Sequence, residues 1–214
     1  MPVATNVTEI LCPTNNGFFG YWQSLVIEGR PPQKSEINPG AIPKIIPGLV
    51  IYERRSADTF LIRLMGTRVV HRLGLDLTGR NLLDFSSYAA KEETQRDLNR
   101  LLDERSGQFL TVRDRFTSGR EALVEIVRLP LNDQEGETRF IIGCTHEYKT
   151  TGWRCYRQDQ PELMAERIQS VFFDIVGDLL TETLWVNPDY RDLQGLPPLE
   201  DFLHDTPTYA SKSR

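Results

Sequence analysis

The segment Thr59–Phe85 reads TFLIRLMGTRVVHRLGLDLTGRNLLDF, and the fold class turns on it. Phe60, Ile62 and Leu64 alternate with Leu61, Arg63 and Met65, which is the two-residue period of a strand with one packed face. Gly66 lets the backbone turn, and Thr67 is placed to cap a short helix, Arg68 to Leu73, through its side-chain oxygen. Gly74 stops that helix. Asp76, Thr78 and Gly79 then build a turn that returns Leu82, Leu83 and Phe85 to the core.

On the N-terminal side, Pro47-Gly48 turns the chain into a strand, Leu49 to Arg54. The short link Ser56-Ala57-Asp58 joins it to the next strand as an antiparallel hairpin. Further back, Asn38 caps a short helix with Pro39 at its first position. A longer helix runs from Asn15 or Asn16 to Glu28, with Phe18, Tyr21, Trp22, Leu25 and Val26 on one face as a lid on the core or a dimer face. Gly29 and Pro31-Pro32 end it. Residues 1–14 carry little periodic signal and are expected to be loose.

On the C-terminal side, Ser86 or Ser87 caps a helix reaching Glu104, with Ala90, Thr94, Leu98, Leu101 and Leu102 inward. Strands follow at Phe109–Thr117, Glu121–Leu129 and Arg139–His146, the first two joined at Ser118-Gly119. From Pro161 to Thr183 apolar residues recur near the helical period, which predicts an amphipathic helix; Val171 to Val176 is β-branched and aromatic enough to suit a strand as well. Residues 187–214, rich in proline, read as an irregular tail. The prediction is an α+β fold: a five-stranded antiparallel sheet with helices on one face, plus N- and C-terminal helical extensions. The expected divisions are 1–47, 48–148 and 149–214.

The strand, Gly-Thr turn and "GLDLTGR" corner resemble the "fRyRLvGT…G.dltGr…d" segment of a stand-alone PAS domain family common in alphaproteobacteria, mostly single-domain proteins. That family's "YW…L…GR.P" helix is matched by Tyr21-Trp22, Leu25, Gly29-Arg30 and Pro32. The run RLPLNDQEG, Arg128 to Gly136, matches the loop that often separates the last two PAS strands. The resemblance spans Phe18 to His146 and implies a sensory or regulatory domain without naming a ligand. Haem-binding PAS proteins commonly carry a histidine on the long helix, and none stands there in this chain. Flavin photosensors carry a cysteine motif near the start of that helix, where this chain has Asp84-Phe85-Ser86-Ser87. Neither haem nor flavin is expected.

Composition bounds the function. The chain has 214 residues, 30 acidic and 25 basic, for a net charge of −5, so nothing draws it globally to nucleic acid or anionic membrane. No apolar run approaches the ~20 residues of a membrane helix, and the N-terminus lacks the pattern of a secretory signal. Three scattered cysteines, Cys12, Cys144 and Cys155, fit reduced thiols in a cytoplasm. Cys144, His146 and Cys155 do not make a recognised metal spacing, so no metal is expected. Nucleotide-binding, nucleophile-elbow and zinc-protease signatures are missing.

Within the strands, Arg63, Arg113 and Arg115 are candidate ligand-binding residues, with His71 on the short helix. In the simplest hairpin register Val112 faces Glu125 and Arg113 faces Val124, which places Arg113/Arg115 and Asp114/Glu125 on opposite faces. Whichever set points inward must be satisfied by a partner or a ligand. Trp22, Leu25, Phe172 and Ile175 are the candidate interaction surface. The expected function is a non-catalytic, cytoplasmic PAS regulator that binds a small molecule, a signalling protein or both, and forms a homodimer. The alternatives are a ligand-free interaction adaptor and, less favoured, a small enzyme on the same scaffold.

Overall fold

A computed structural model of the chain describes residues 4–85, 88–116, 119–151 and 161–186. The strands are β1 (Leu49–Ser56), β2 (Thr59–Met65), β3 (Gly107–Phe116), β4 (Glu121–Asn132), β5 (Thr138–Thr151), β6 (Pro161–Phe173) and β7 (Leu179–Val186). They form one sheet in the order β2-β1-β5-β4-β3-β6-β7, with every pairing antiparallel. The α+β class holds, with seven strands instead of five.

The two additional strands occupy the region expected to be a C-terminal helix. Ile168, Val171 and Phe172 sit at helical spacings, yet the segment is a strand buried on both faces. Phe172 packs with Leu98, Leu101 and Leu102, whereas Val171 and Phe173 pack with Phe18, Phe19 and Trp22. A strand covered on both sides reads as a continuous apolar run, which periodicity cannot separate from a buried helix. The edge of β3 decides the matter. Its unpaired N–H and C=O groups are satisfied by β6, in a register that sets Gln108 opposite Phe172. The turn was signalled by Asp174 and Gly177. Asp174 Oδ1 accepts the N–H groups of residues 176, 177 and 178, and Gly177 takes a φ of 99°.

Strand alternation sends two sets of side chains to opposite faces. Helices α2 (Thr67–Leu73) and α3 (Tyr88–Asp103) contribute to the core over Val50, Tyr52 and Ile141, while α1 (Pro13–Gln23) packs over Val127, Leu129, Ile142 and Cys144. Helices α2 and α3 thus share one face, as expected of the core, and the N-terminal helix α1 covers the other face. Helix α1 also begins and ends earlier than its pattern suggested. Cys12 is its N-cap, with Sγ accepting the Asn15 N–H at 3.4 Å, and Pro13 fills the first turn. Its buried stripe is Asn15, Phe18, Phe19 and Trp22.

The N-terminal segment, expected to be loose, is docked from Ala4 onward. Val7 is fully buried; its N–H donates to Gly177 O at 2.7 Å, and Leu179 N–H donates to Thr5 O at 2.9 Å. The β6–β7 turn supplies the partners that local sequence could not reveal.

Gly66 is required for a reason other than its φ, which is an ordinary −66°. A Cβ there would lie 2.5 Å from Pro47 O and 2.6 Å from Ile46 O. Two backbone segments meet where a side chain has no room. Gly66 is itself the N-cap of α2, and no side chain caps that helix. The role expected of Thr67 is not realised.

Candidate functional site

Between the sheet and the pair α2 and α3 lies a cavity of about 220 Å³. Its walls are mostly apolar: Val50 and Ile62 from the first hairpin, Val69 and Leu73 from α2, and Leu110, Val112 and Ile126 from the middle strands. Ala90 and Thr94 of α3, expected to face inward, also line it. Thr145 of β5 and Tyr52 of β1 add hydroxyl groups.

Five ionisable side chains complete the lining: Arg72, Glu93, Asp114, Arg128 and Arg167. Arg72 Nε stands 3.1 Å from Asp114 Oδ2, and both side chains are about nine-tenths buried. The pair is close enough to attract, but neither atom has an aligned hydrogen-bond partner. Burial raises the Asp114 pKa, Arg72 opposes that rise and Glu147 adds to it. Arg120 reinforces the corner by donating to Arg72 O at 2.7 Å while its guanidinium lies 3.4 Å from the centroid of the Phe116 ring. Arg167 reaches from β6 to α3, with Nη1 2.9 Å from Glu93 Oε1 and Nη2 2.7 Å from Asp97 Oδ2.

Arg128 is held differently. Its Nη1 donates to Gln108 Oε1 at 3.0 Å. Gln108 is fully buried, and its Nε2 donates to Asp97 Oδ2 at 2.8 Å and Ser170 Oγ at 3.1 Å. The amide is thus oriented with its oxygen toward the guanidinium. Burial pushes the Arg128 pKa down, with Tyr52 and Asp97 favouring its charge and Arg167 opposing it. Gly143, opposite Arg128 in the ladder, leaves open the space between Arg128 and Tyr52: a Cβ there would touch both side chains at 3.8–3.9 Å.

The sequence-predicted candidates fall elsewhere. Arg63 is half-exposed on β2 and pairs with Glu53 at 3.4 Å. Arg113 and Arg115 lie on the face away from the cavity and pair with Glu121 and Glu166. His71 is exposed on α2, one residue from the cavity-lining Arg72. None of these four lines the cavity. The hairpin register explains part of the shift, because Thr111, rather than Val112, faces Glu125, and Arg113 faces Leu123. Asp114 consequently points into the cavity, while Glu125 is buried on the opposite face. There its carboxylate accepts from Cys12 N–H at 3.0 Å, from Asn15 Nδ2 at 2.8 Å and from the Tyr148 hydroxyl. Arg128 had a sequence signal: it continues the alternating row Val124, Ile126, where an apolar residue would be expected on the inner face.

Of the expected interaction residues, Trp22 and Phe172 are core residues of the single chain, 1% and 4% exposed. The Trp22 indole N–H donates to Pro130 O at 3.0 Å. Leu25 and Ile175 are half-buried, near where the end of α1 meets the β6–β7 turn. Among the described residues no group of three or more His, Cys, Asp or Glu side chains is placed to hold a metal ion. Cys155, named in the metal reading, lies outside the described residues. No described helix is long and apolar enough to cross a membrane.

An antiparallel sheet with helices packed over a cavity of small-molecule size is the arrangement in which a family match places this chain. The chain belongs to the PAS domain family, whose model matches residues 11–146 and so takes in α1, the first four strands and most of β5. No curated protein sequence matches it. Among solved structures, a light-oxygen-voltage domain studied with a flavin analogue is 17% identical, with 51% of this chain and 83% of that one covered and a TM-score of 0.40. The VqmA–ligand–DNA complex of Vibrio cholera is 14% identical, with 53% and 52% covered and a TM-score of 0.42. An RNA-binding light-oxygen-voltage receptor is 13% identical, with 57% and 37% covered and a TM-score of 0.41.

Proposed function

We propose that this chain is a non-catalytic PAS sensor, of a kind found in alphaproteobacteria, that works in the cytoplasm as a homodimer. Its cavity takes a small molecule, and occupancy alters its affinity for a signalling protein. The observation that carries this reading is the cavity itself: an apolar space of about 220 Å³ into which buried charged groups project. A core meant only to be filled would gain nothing from Arg128 on its inner wall, because a buried charge is costly unless it meets a partner and this guanidinium hydrogen-bonds, among the described residues, only the Gln108 amide.

The same volume favours a small metabolite over a prosthetic group, since sites for drug-sized ligands begin at roughly 300 Å³. Helix α3 carries no histidine for a haem iron. We therefore assign neither haem nor flavin, and neither nucleic acid nor membrane as a partner. The ligand acts by differential affinity for two states of the fold. The surface where α1 ends beside the β6–β7 turn, with the half-buried Leu25 and Ile175, is the proposed output surface; Gln23 Nε2 already joins the two elements by donating to Val176 O at 3.0 Å.

Native mass spectrometry of the intact chain, compared with its denatured mass, tests the reading. A released small molecule supports a sensor. A chain that carries nothing, and that no metabolite in a broad library stabilises, is instead a ligand-free adaptor.

A further inference from the structure

Three arginines line the cavity, and two of them are matched by carboxylates. Arg72 faces Asp114, and Arg167 faces Glu93 and Asp97. Arg128 has no carboxylate within ion-pairing distance among the described residues; it reaches Asp97 only through the amide of Gln108. Arg128 is 7% exposed, and its Nε has no hydrogen-bond acceptor. A guanidinium has five N–H donors in a rigid fork suited to a carboxylate. Leaving such donors unmet in a buried place is expensive.

From this geometry we infer that the cavity binds a small monocarboxylate with an apolar body, its carboxylate held by Arg128 beside Tyr52. The inference rests on the sensor reading above and specifies its ligand. The surroundings set the rest of the molecule's chemistry. Leu73, Leu82, Phe85 and Leu110 form an apolar part of the remaining lining, beside the already paired Arg72, Asp114, Glu93 and Arg167, and accept an aliphatic or aromatic body. A volume of about 220 Å³ corresponds to roughly seven water volumes, which limits the ligand to on the order of ten non-hydrogen atoms. The three arginines are balanced in charge by Asp114, Glu93 and Asp97, so what Arg128 offers is unmet N–H donors, beginning with Nε, and these suit one carboxylate; a phosphate dianion would need more donors than Arg128 supplies. Gln108, fixed by Asp97 and Ser170, holds the guanidinium in place before the ligand arrives, which lowers the ordering cost of binding.

The test is thermal denaturation of the full chain at pH 7 with isovalerate and benzoate, each beside its neutral amide. At a hundredfold excess over Kd, a bound acid should raise Tm by roughly 5 °C or more, and the amides should leave it within about 1 °C. Arg128→Gln should remove the response to the acids. The comparison of acid with amide uses the unmodified chain, so it holds even if that variant folds poorly. Equal responses to acid and amide, or a full response in a folded Arg128→Gln, overturn the charge selection and leave the cavity reading intact. If all four probes are silent, native mass spectrometry decides. A retained carboxylic acid supports the inference. A retained uncharged molecule overturns it alone, and no retained molecule overturns it together with the sensor reading.

Discussion

Replacing Trp22 with alanine should destabilise the chain by about 4–6 kcal/mol. The indole is 1% exposed, stacks with Phe19 at a centroid distance of 6.3 Å and donates to Pro130 O. Truncating a buried tryptophan costs about 3–5 kcal/mol in lost transfer energy and cavity formation. A carbonyl left without its donor adds about 1 kcal/mol or more. For a chain of this length each kcal/mol shifts Tm by roughly 2–4 °C, so the expected drop is on the order of 10–20 °C. Circular dichroism melts, with size-exclusion chromatography and light scattering on the same samples, are the assay. Leu25→Ala, at a half-buried position on the same segment, should lower Tm by only a few degrees. A Trp22→Ala protein that melts like wild type but changes its oligomeric state would refute the reasoning, because the indole would then be an interface group and not part of the core.

Gly66→Ala should cost about 2–3 kcal/mol, since its methyl group would press on two carbonyl oxygens; a denaturant midpoint equal to wild type would contradict the close approach of Ile46 and Pro47. Burial raises the folded pKa of Asp114. Its contribution to stability is thus fully present below the unfolded value near ~4 and is lost as pH rises through the folded pKa. Asp114→Asn should remove that loss, and a stability profile with the same slope as wild type above pH ~4 would rule it out. Burial pushes the thiols of Cys12 and Cys144 up to about 12. Both should resist iodoacetamide at pH 8 until denaturant is added, as peptide mass mapping would report; rapid labelling of either in the native protein would contradict its burial.

Much of the fold was legible because its elements are local. The alternation of Phe60 and Ile62, the glycine stop at Gly74 and the turn at Asp76 act over a few residues and are realised, whereas Leu64, expected on the packed face, is exposed because the β1–β2 register shifts at Arg63. The site was less legible. Alternation showed that Asp114 and its neighbouring arginines divide between faces, but a slip of one residue in the β3–β4 register reassigned Glu125. Arg72 and Arg128 are separated by some fifty residues, and only the closed sheet places both on one cavity.

The sequence by itself determined the order of strands and helices from the first helix to β5 and the antiparallel hairpins, because period, caps and turn residues are encoded within short windows. Tertiary structure alone decided that Pro161–Phe173 is a strand, that α1 covers the opposite face and that Arg128 is buried without a carboxylate partner. Each of those outcomes depends on an edge, a surface or a charge supplied by a distant part of the chain.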